Sequence, residues 1–236
     1  AKATTYADRD RIMGLYAPTA LLSLPVVWLA LTTVGYTLVY YAMGVESLYD
    51  AYTLSGSALT TLGFARHDGW LFMSLIFSEA ASGLIMVALL ISYLPTMYAA
   101  FSARETAVTM LEVRAGSPPS AVVMITRANR IRGLDSLPEL FIEWEIWFSA
   151  VEESHTALAA LVFFRSPKPE RHWVTAAGAV LDAAALYAAA LDVPRNPQAD
   201  LCIRAGFLAL RSIADFFEIS YNPDPVSYTH LRAHET

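Results

Sequence analysis

The chain consists of two long apolar blocks followed by segments in which polar and apolar residues mix. The first block runs from Pro18 to Met43 and the second from Trp70 to Phe101. A run of 34 residues without a charged side chain or histidine follows Arg11, and a run of 24 precedes Arg104. A helix needs roughly 20 apolar residues to cross the hydrocarbon of a bilayer. The pattern therefore predicts two transmembrane helices, over 18–43 and 70–101.

A shorter, moderately apolar piece lies between these blocks. Residues 47–59 are rich in small side chains and too few to span a bilayer. They are followed by the uncharged segment TTLGFA, 60–65, and then by the polar residues 66–69. Irregular backbone at membrane depth persists only where it is buried in protein or lines a water-filled path. The arrangement predicts a re-entrant loop, with a pore helix over 47–59 and a filter segment over 60–65.

After residue 101 the pattern stays helical but becomes amphipathic. We predict a break at Gly116–Ser120 and then helices over Leu137–Phe164, Trp173–Leu191 and Gln198–Phe217. The helix over Trp173–Leu191 is apolar enough for a third span, but Asp182 at its centre favours a buried helix outside the membrane. Because no strand-like alternation occurs, the sequence predicts an all-α membrane protein.

The positions of the basic residues predict how the chain is oriented. Basic side chains precede the first span and follow the second, whereas the connection between them carries Arg66 alone. Both termini are therefore expected in the cytoplasm. The predicted domains are a cytoplasmic segment over 1–17, a pore domain over 18–101 and a helical cytoplasmic domain over 102–226. Residues 227–236 resemble a translated adapter or vector sequence and are left out of the functional argument.

Composition narrows the function classes. The chain is 56% hydrophobic and 16% charged, whereas about a quarter of the residues are charged in a soluble domain. A net charge of −6 gives no basic footprint for nucleic acid. The sequence has no phosphate-binding Gly loop, no Gly-x-Ser-x-Gly elbow and no Cys/His zinc pattern, so we expect neither an enzyme nor a bound cofactor or metal. The pair Glu152-x-x-His155 is half of a di-iron motif without a second copy.

The segment after the short helix carries the candidate chemistry. A potassium filter has the pattern Thr-x-Gly-(Tyr/Phe)-Gly, in which backbone carbonyls replace the hydration shell of the ion. The run Thr61-Leu62-Gly63-Phe64 matches four of its positions, with Thr60 on the side of the helix. Ala65 stands in place of the second glycine, where a left-handed conformation costs an alanine about 1–2 kcal/mol.

The order of these segments resembles a known family. The sequences YTLSGSALTTLGFA, ISYLPTMYAAFSARE and RAGSPPSA, in this order around the two spans, resemble bacterial two-span potassium-channel-like proteins. The stretches EWEIWFSAVEESH and FFRSPKPERHWVTAAGAVLDAAAL resemble their helical cytoplasmic region, and the resemblance covers most of residues 10–217. It implies an ion channel of the bacterial inner membrane that passes a monovalent cation, with K⁺ as the expected ion. It also implies a homotetramer, because one loop supplies a quarter of a filter.

The chain departs from the family pattern at the outer mouth. Arg66 replaces the acidic residue that usually follows the filter. Four guanidinium groups at that place repel cations unless Asp68 or Glu46 compensates for them. Weak ion selectivity, altered ion selectivity and loss of conduction are therefore all compatible with the sequence. The alternative hypothesis is a non-conducting membrane scaffold or signalling anchor with a degenerate pore. A third hypothesis is a membrane enzyme or transporter. The sequence does not identify a regulatory ligand of the cytoplasmic helices.

Three residues of the second span are further candidates. Gly83 is either a gating hinge or a small residue that permits close helix packing. Pro95 either kinks the cytoplasmic end of the span or terminates it. Glu79 is a carboxyl at a depth where it must face protein or water. It can brace the pore helix through hydrogen bonds, contribute charge to the permeation path, or lie protonated in a polar pocket.

Overall fold

The computed structural model describes residues 6–166 and 169–221, and the tail over 227–236 lies outside them. The described residues contain helices and no strand, which confirms the all-α prediction. Short 3-10 turns connect some of the helices. The α-helices of the described residues are α1 (Tyr6–Ala42), α2 (Leu48–Leu59), α3 (Trp70–Ala115), α4 (Ala121–Ile131), α5 (Leu137–Ala157), α6 (Trp173–Ala189) and α7 (Pro197–Phe216).

Two of these helices are long and apolar enough to cross a membrane, namely the Pro18–Ala42 part of α1 and helix α3. Many of their apolar side chains are exposed, among them Leu31 at 66% and Ile91 at 69%. Such surfaces suit a lipid environment or other helices rather than water. Helix α1 begins ahead of the predicted span, and α3 continues beyond the predicted span to Ala115.

The chain divides into two compact units, built from the described parts of Ala1–Ser102 with Phe163–Pro167 and of Ala103–Val162 with Lys168–Thr236. In the first unit α2 packs against α1 around a core of Tyr40, Val45, Ala51 and Leu54. Helix α2 begins where Ser47 caps it, because the Ser47 hydroxyl accepts a hydrogen bond from the Asp50 N–H at 3.1 Å. The helix thus occupies the range predicted for the pore helix.

The second unit encloses a larger core between α5, α6 and α7 and the end of α3. Aromatic rings of α5 such as Phe148 pack in it, and Gly206 of α7 lets the helices approach closely, because a Cβ there would lie 2.9 Å from the Phe148 ring. Helix α6 has Val180 and Ala183 fully buried while Asp182 is exposed. One face of α6 therefore packs in the core of this unit.

The prediction of one helix over 137–164 is wrong at its end. Helix α5 ends at Ala157, and Leu158 leaves the helical region with φ −122° and ψ 69°. A 3-10 turn over Ala159–Phe163 follows, in which Leu161 is 1% exposed. The change of direction buries this leucine, and that tertiary gain decides against the continued helix that local propensity favours.

Candidate functional site

The N–H groups of the loop after α2 are tied to that helix. The N–H groups of Leu62 and Gly63 donate to the Ser57 carbonyl at 3.0 and 3.2 Å. The Ala65 N–H donates to the Ser57 hydroxyl at 3.0 Å. Ser57 is fully buried. One serine of the helix therefore holds three donors of the loop, through both its backbone and its side chain.

The carbonyl side of the same loop is unpaired. Within residues 6–166 and 169–221, no hydrogen bond is made to the backbone carbonyls of residues 60–65. The backbone is left-handed at Thr61, with φ 57°, and at Gly63, with φ 70°. The side chains of Leu62 and Phe64 are 69% and 66% exposed. The loop thus presents a series of carbonyl oxygens that accept no hydrogen bond from the described residues, and this is the ligand type that replaces the hydration shell of a monovalent cation.

The electrostatics of the loop favour a cation at its base. Helix α2 ends at Leu59, and the negative end of a helix dipole lies at its C-terminus. The Thr60 hydroxyl donates to the Gly56 carbonyl at 2.5 Å, which closes the last turn. A bound cation at this end gains from the aligned carbonyls, by about 0.3–1 kcal/mol for an exposed charge.

The outer part of the loop differs from what the sequence led us to consider. Ala65 is not among the described residues with positive φ; the left-handed non-glycine residue of the loop is Thr61. The penalty weighed for a left-handed alanine therefore does not arise in this conformation. Arg66 and Asp68 are exposed, and no ion pair in the described part of the chain joins Arg66 to Asp68 or to Glu46. The arginine charge stands uncompensated at this loop.

Glu79 is fully buried at the junction of the three helices of the first unit. Its Oε2 accepts a hydrogen bond from the Tyr40 hydroxyl of α1 at 2.8 Å. Its Oε1 lies 2.5 Å from the Ser55 hydroxyl of α2. The Ser55 hydroxyl in turn lies 3.2 Å from the Thr33 carbonyl of α1. These are the contacts that the bracing hypothesis for Glu79 requires.

Gly83 lies against the end of the short helix. A Cβ built at this position would come within 2.1 Å of the Leu59 carbonyl oxygen. The absence of a side chain therefore lets α3 touch the main chain of α2, which gives the packing hypothesis for Gly83 a direct basis. Helix α3 runs unbroken through both Gly83 and Pro95. A hinge at either residue stays a prediction.

Three side chains of this candidate site were not predicted from the sequence, namely Ser55, Ser57 and Tyr40. Both serines are fully buried, as is the tyrosine. A hydroxyl inside a short apolar helix between two spans needs a hydrogen-bond partner when it is buried, since burial without one is costly. The spacing of the two serines inside 47–59 was the available signal, although small residues in membrane helices also serve close packing alone.

In the second unit, both ring nitrogens of His155 are engaged. Arg104 donates to Nε2 at 3.1 Å, and Nδ1 bonds the Val151 carbonyl at 2.9 Å, so Nδ1 carries the proton and the ring is neutral. Burial, and next the charge of Arg104, lowers the His155 pKa to about 4. The Arg104 side chain is 2% exposed, pairs with Glu105 at 3.0 Å and lies over the Trp173 ring at 5.6 Å. His155 is thus a structural partner of Arg104 rather than a member of a Glu152 metal pair.

Comparisons of the chain with protein-family models, with curated proteins and with solved structures found no significant match.

Proposed function

We propose that the chain is one subunit of a homotetrameric pore-loop cation channel in which K⁺ passes along the carbonyl oxygens of residues 60–65. One observation carries the proposal: the donors of the loop are bound to α2 through Ser57, while its acceptors are unpaired. A loop held in this way presents oxygen ligands at little cost in reorganisation, which is what passive permeation through a filter needs.

The remainder of the architecture supports the same proposal. Helix α2 is too short to span and stands in the chain between two helices that are long enough. A filter needs a ring of carbonyls around an axis, so four copies of the loop have to meet. We place the pore in the bacterial inner membrane with both termini in the cytoplasm, and we assign the inner cavity to α3.

The test of this proposal is cation flux in liposomes that contain the full chain. We expect Rb⁺ uptake and a reversal potential that follows the K⁺ gradient. Ser57→Ala removes the hydroxyl that holds the Ala65 N–H and should reduce flux and K⁺ selectivity. Ser74→Ala is the matched control, because the Ser74 hydroxyl is exposed and bonds only its own helix, at the Trp70 carbonyl. Protein that passes neither Rb⁺ nor K⁺ in well-folded form refutes the proposal.

A non-conducting scaffold or signalling anchor is the second candidate. The exposed and unpaired Arg66 favours it, because four such charges around one axis repel cations. The double substitution Ala65→Gly and Arg66→Asp restores the family pattern of the filter. If the parent chain carries no flux and this variant does, the scaffold hypothesis stands; flux in the parent chain rules it out.

A further inference from the structure

Five oxygen atoms of the first unit form a chain of contacts that contains one proton whose position is ambiguous. They belong to the Tyr40 hydroxyl, the Glu79 carboxyl, the Ser55 hydroxyl and the Thr33 carbonyl. The successive oxygen–oxygen distances are 2.8, 2.5 and 3.2 Å. Glu79, Ser55 and Tyr40 are each fully buried.

Counting hydrogens decides between two states of this chain. A serine hydroxyl has one proton to donate. If Glu79 is ionised, Ser55 donates to the carboxylate, and its oxygen then faces the Thr33 carbonyl without a hydrogen between them. If Glu79 is protonated, the carboxyl donates to Ser55, Ser55 donates to Thr33, and the tyrosine donates to the free carboxyl oxygen. Only the protonated state uses every contact as a hydrogen bond.

We propose that Glu79 is a proton-binding site that is occupied in the resting protein and that clamps α2 to α1 and α3. Loss of the proton removes the Ser55 hydrogen bond to Thr33 and leaves a carboxylate to which the described part of the chain offers no cationic partner. Burying an unpaired charge is expensive, so the clamp is expected to loosen rather than to persist.

Tyr40 is the one titratable side chain that contacts Glu79 among the described residues. From α1 the titratable groups are Tyr40 and, one turn away, Tyr36, whose hydroxyl bonds Ser78 at 2.9 Å. From the loop, His67 stacks on Phe72 with ring centroids 3.8 Å apart. The other titratable and charged side chains described on α1, on α2 and in the loops beside α2 are Tyr16, Tyr41, Glu46, Tyr49, Asp50, Tyr52, Arg66 and Asp68, all of them exposed.

The proton site and the residue that holds the loop lie within one turn of α2. Ser55 belongs to the proton site, and Ser57, two residues later, holds the loop donors. A change in the clamp therefore acts on the helix from which the filter segment is suspended. This consequence for permeation rests on the proposed channel function, whereas the proton site itself rests on geometry alone.

The first experiment is infrared spectroscopy of the full chain in liposomes. Glu79 is the one acidic residue of the two predicted spans, 18–43 and 70–101. We expect the carbonyl band of a protonated carboxyl at neutral pH, lost in Glu79→Gln and retained in Tyr36→Phe, which removes a hydroxyl of α1 that bonds Ser78 and not Glu79. A spectrum of the parent chain at neutral pH that is identical to that of Glu79→Gln in this region overturns the proposal.

The second experiment is the pH dependence of thermal unfolding in detergent. A glutamine presents an amide N–H to Ser55 and an oxygen to Tyr40, and so imitates the protonated carboxyl. We expect the unfolding temperature of the parent chain and of Tyr36→Phe to fall as the pH is raised. The unfolding temperature of Glu79→Gln should fall less over the same pH range. Equal losses in the parent and in Glu79→Gln overturn the proposal. Neither readout requires conduction, so a silent channel with an intact carboxyl band contradicts only the proposed function.

Discussion

Gly83→Ala is the sharpest test of how α3 meets the short helix. The added Cβ would come within 2.1 Å of the Leu59 carbonyl oxygen, whereas side-chain carbons essentially never approach closer than 3.0 Å. The two helices therefore have to separate by about 0.9 Å, the difference between these distances. Overpacking by one carbon typically costs about 1–3 kcal/mol. We expect the upper part of that range, since the obstacle is main chain and no rotamer change relieves it.

The matched control is Gly35→Ala in α1. Nothing lies within 4 Å of a Cβ at Gly35, and it is also a helical glycine of a predicted span. Alanine is a better helix former than glycine by about 1 kcal/mol, so this variant should be neutral or slightly stabilised. Thermal unfolding in detergent, followed by circular dichroism, measures both variants under one condition.

The outcome separates the two hypotheses for Gly83. The packing hypothesis predicts a destabilised Gly83→Ala, together with reduced flux, because the end of α2 moves and the loop follows it. The hinge hypothesis predicts normal stability with altered opening, since alanine stiffens a helix without disturbing its neighbours. If Gly83→Ala unfolds at the temperature of Gly35→Ala, the close contact with Leu59 has no energetic weight and the packing argument fails.

Two further predictions concern the second unit. The His155 pKa is about 4 in the folded chain and near 6.5 when the side chain is exposed. Between these pH values the unfolded chain binds more protons than the folded chain, so acid favours unfolding. The His155 contribution to the free energy of unfolding is therefore complete above pH 6.5 and falls by about 3 kcal/mol as the pH is lowered to 4. Tryptophan fluorescence against denaturant at several pH values measures it, and the same slope in His155→Gln would contradict the assignment. Arg104→Ala should lower the free energy of unfolding by about 3 kcal/mol because it removes a buried charge from its partners. The control is Arg195→Ala, whose side chain is 89% exposed and which should change that free energy by no more than about 0.5 kcal/mol. Equal effects in denaturant titrations would show that the Arg104 contacts contribute nothing to stability.

The helical elements of the first unit were largely predictable from the sequence. The spans follow from length and the lack of charge, which are properties of the chain itself. The range of α2 follows from a short, moderately apolar piece over 47–59, and the cap at Ser47 gives its first turn a physical reason. The end of α5 was not predictable, because burial of Leu161 is a tertiary contact that local propensity does not contain.

The candidate site was predictable in part. The sequence identifies residues 60–65 as unusual and Glu79 as a carboxyl that needs a partner. It does not name the partner, because several hydroxyls stand within reach in an apolar sequence. The choice of Tyr40 and Ser55 depends on which faces of three helices meet, and this is decided by packing. The contacts of Ser57 could not be predicted for the same reason. Part of them is made by its backbone carbonyl, which every residue type carries and which the sequence therefore does not distinguish.

Two contacts one turn apart fix the short helix on α3. Ser55 meets Glu79, and Leu59 meets Gly83, so the contacting residues are four apart on both helices and each pair lies on one face. The two contacts are about 6 Å apart along each axis, since a helix rises about 1.5 Å per residue. One contact alone would let α2 pivot about it, whereas two define its direction. Ser57, from which the loop is suspended, lies between them, so the position of the loop is set by α3. Under the proposed proton site, loss of the proton leaves a buried carboxylate at the Ser55–Glu79 contact, whereas the Leu59–Gly83 contact contains no titratable group. The first of the two contacts is therefore the point at which we expect this arrangement to loosen.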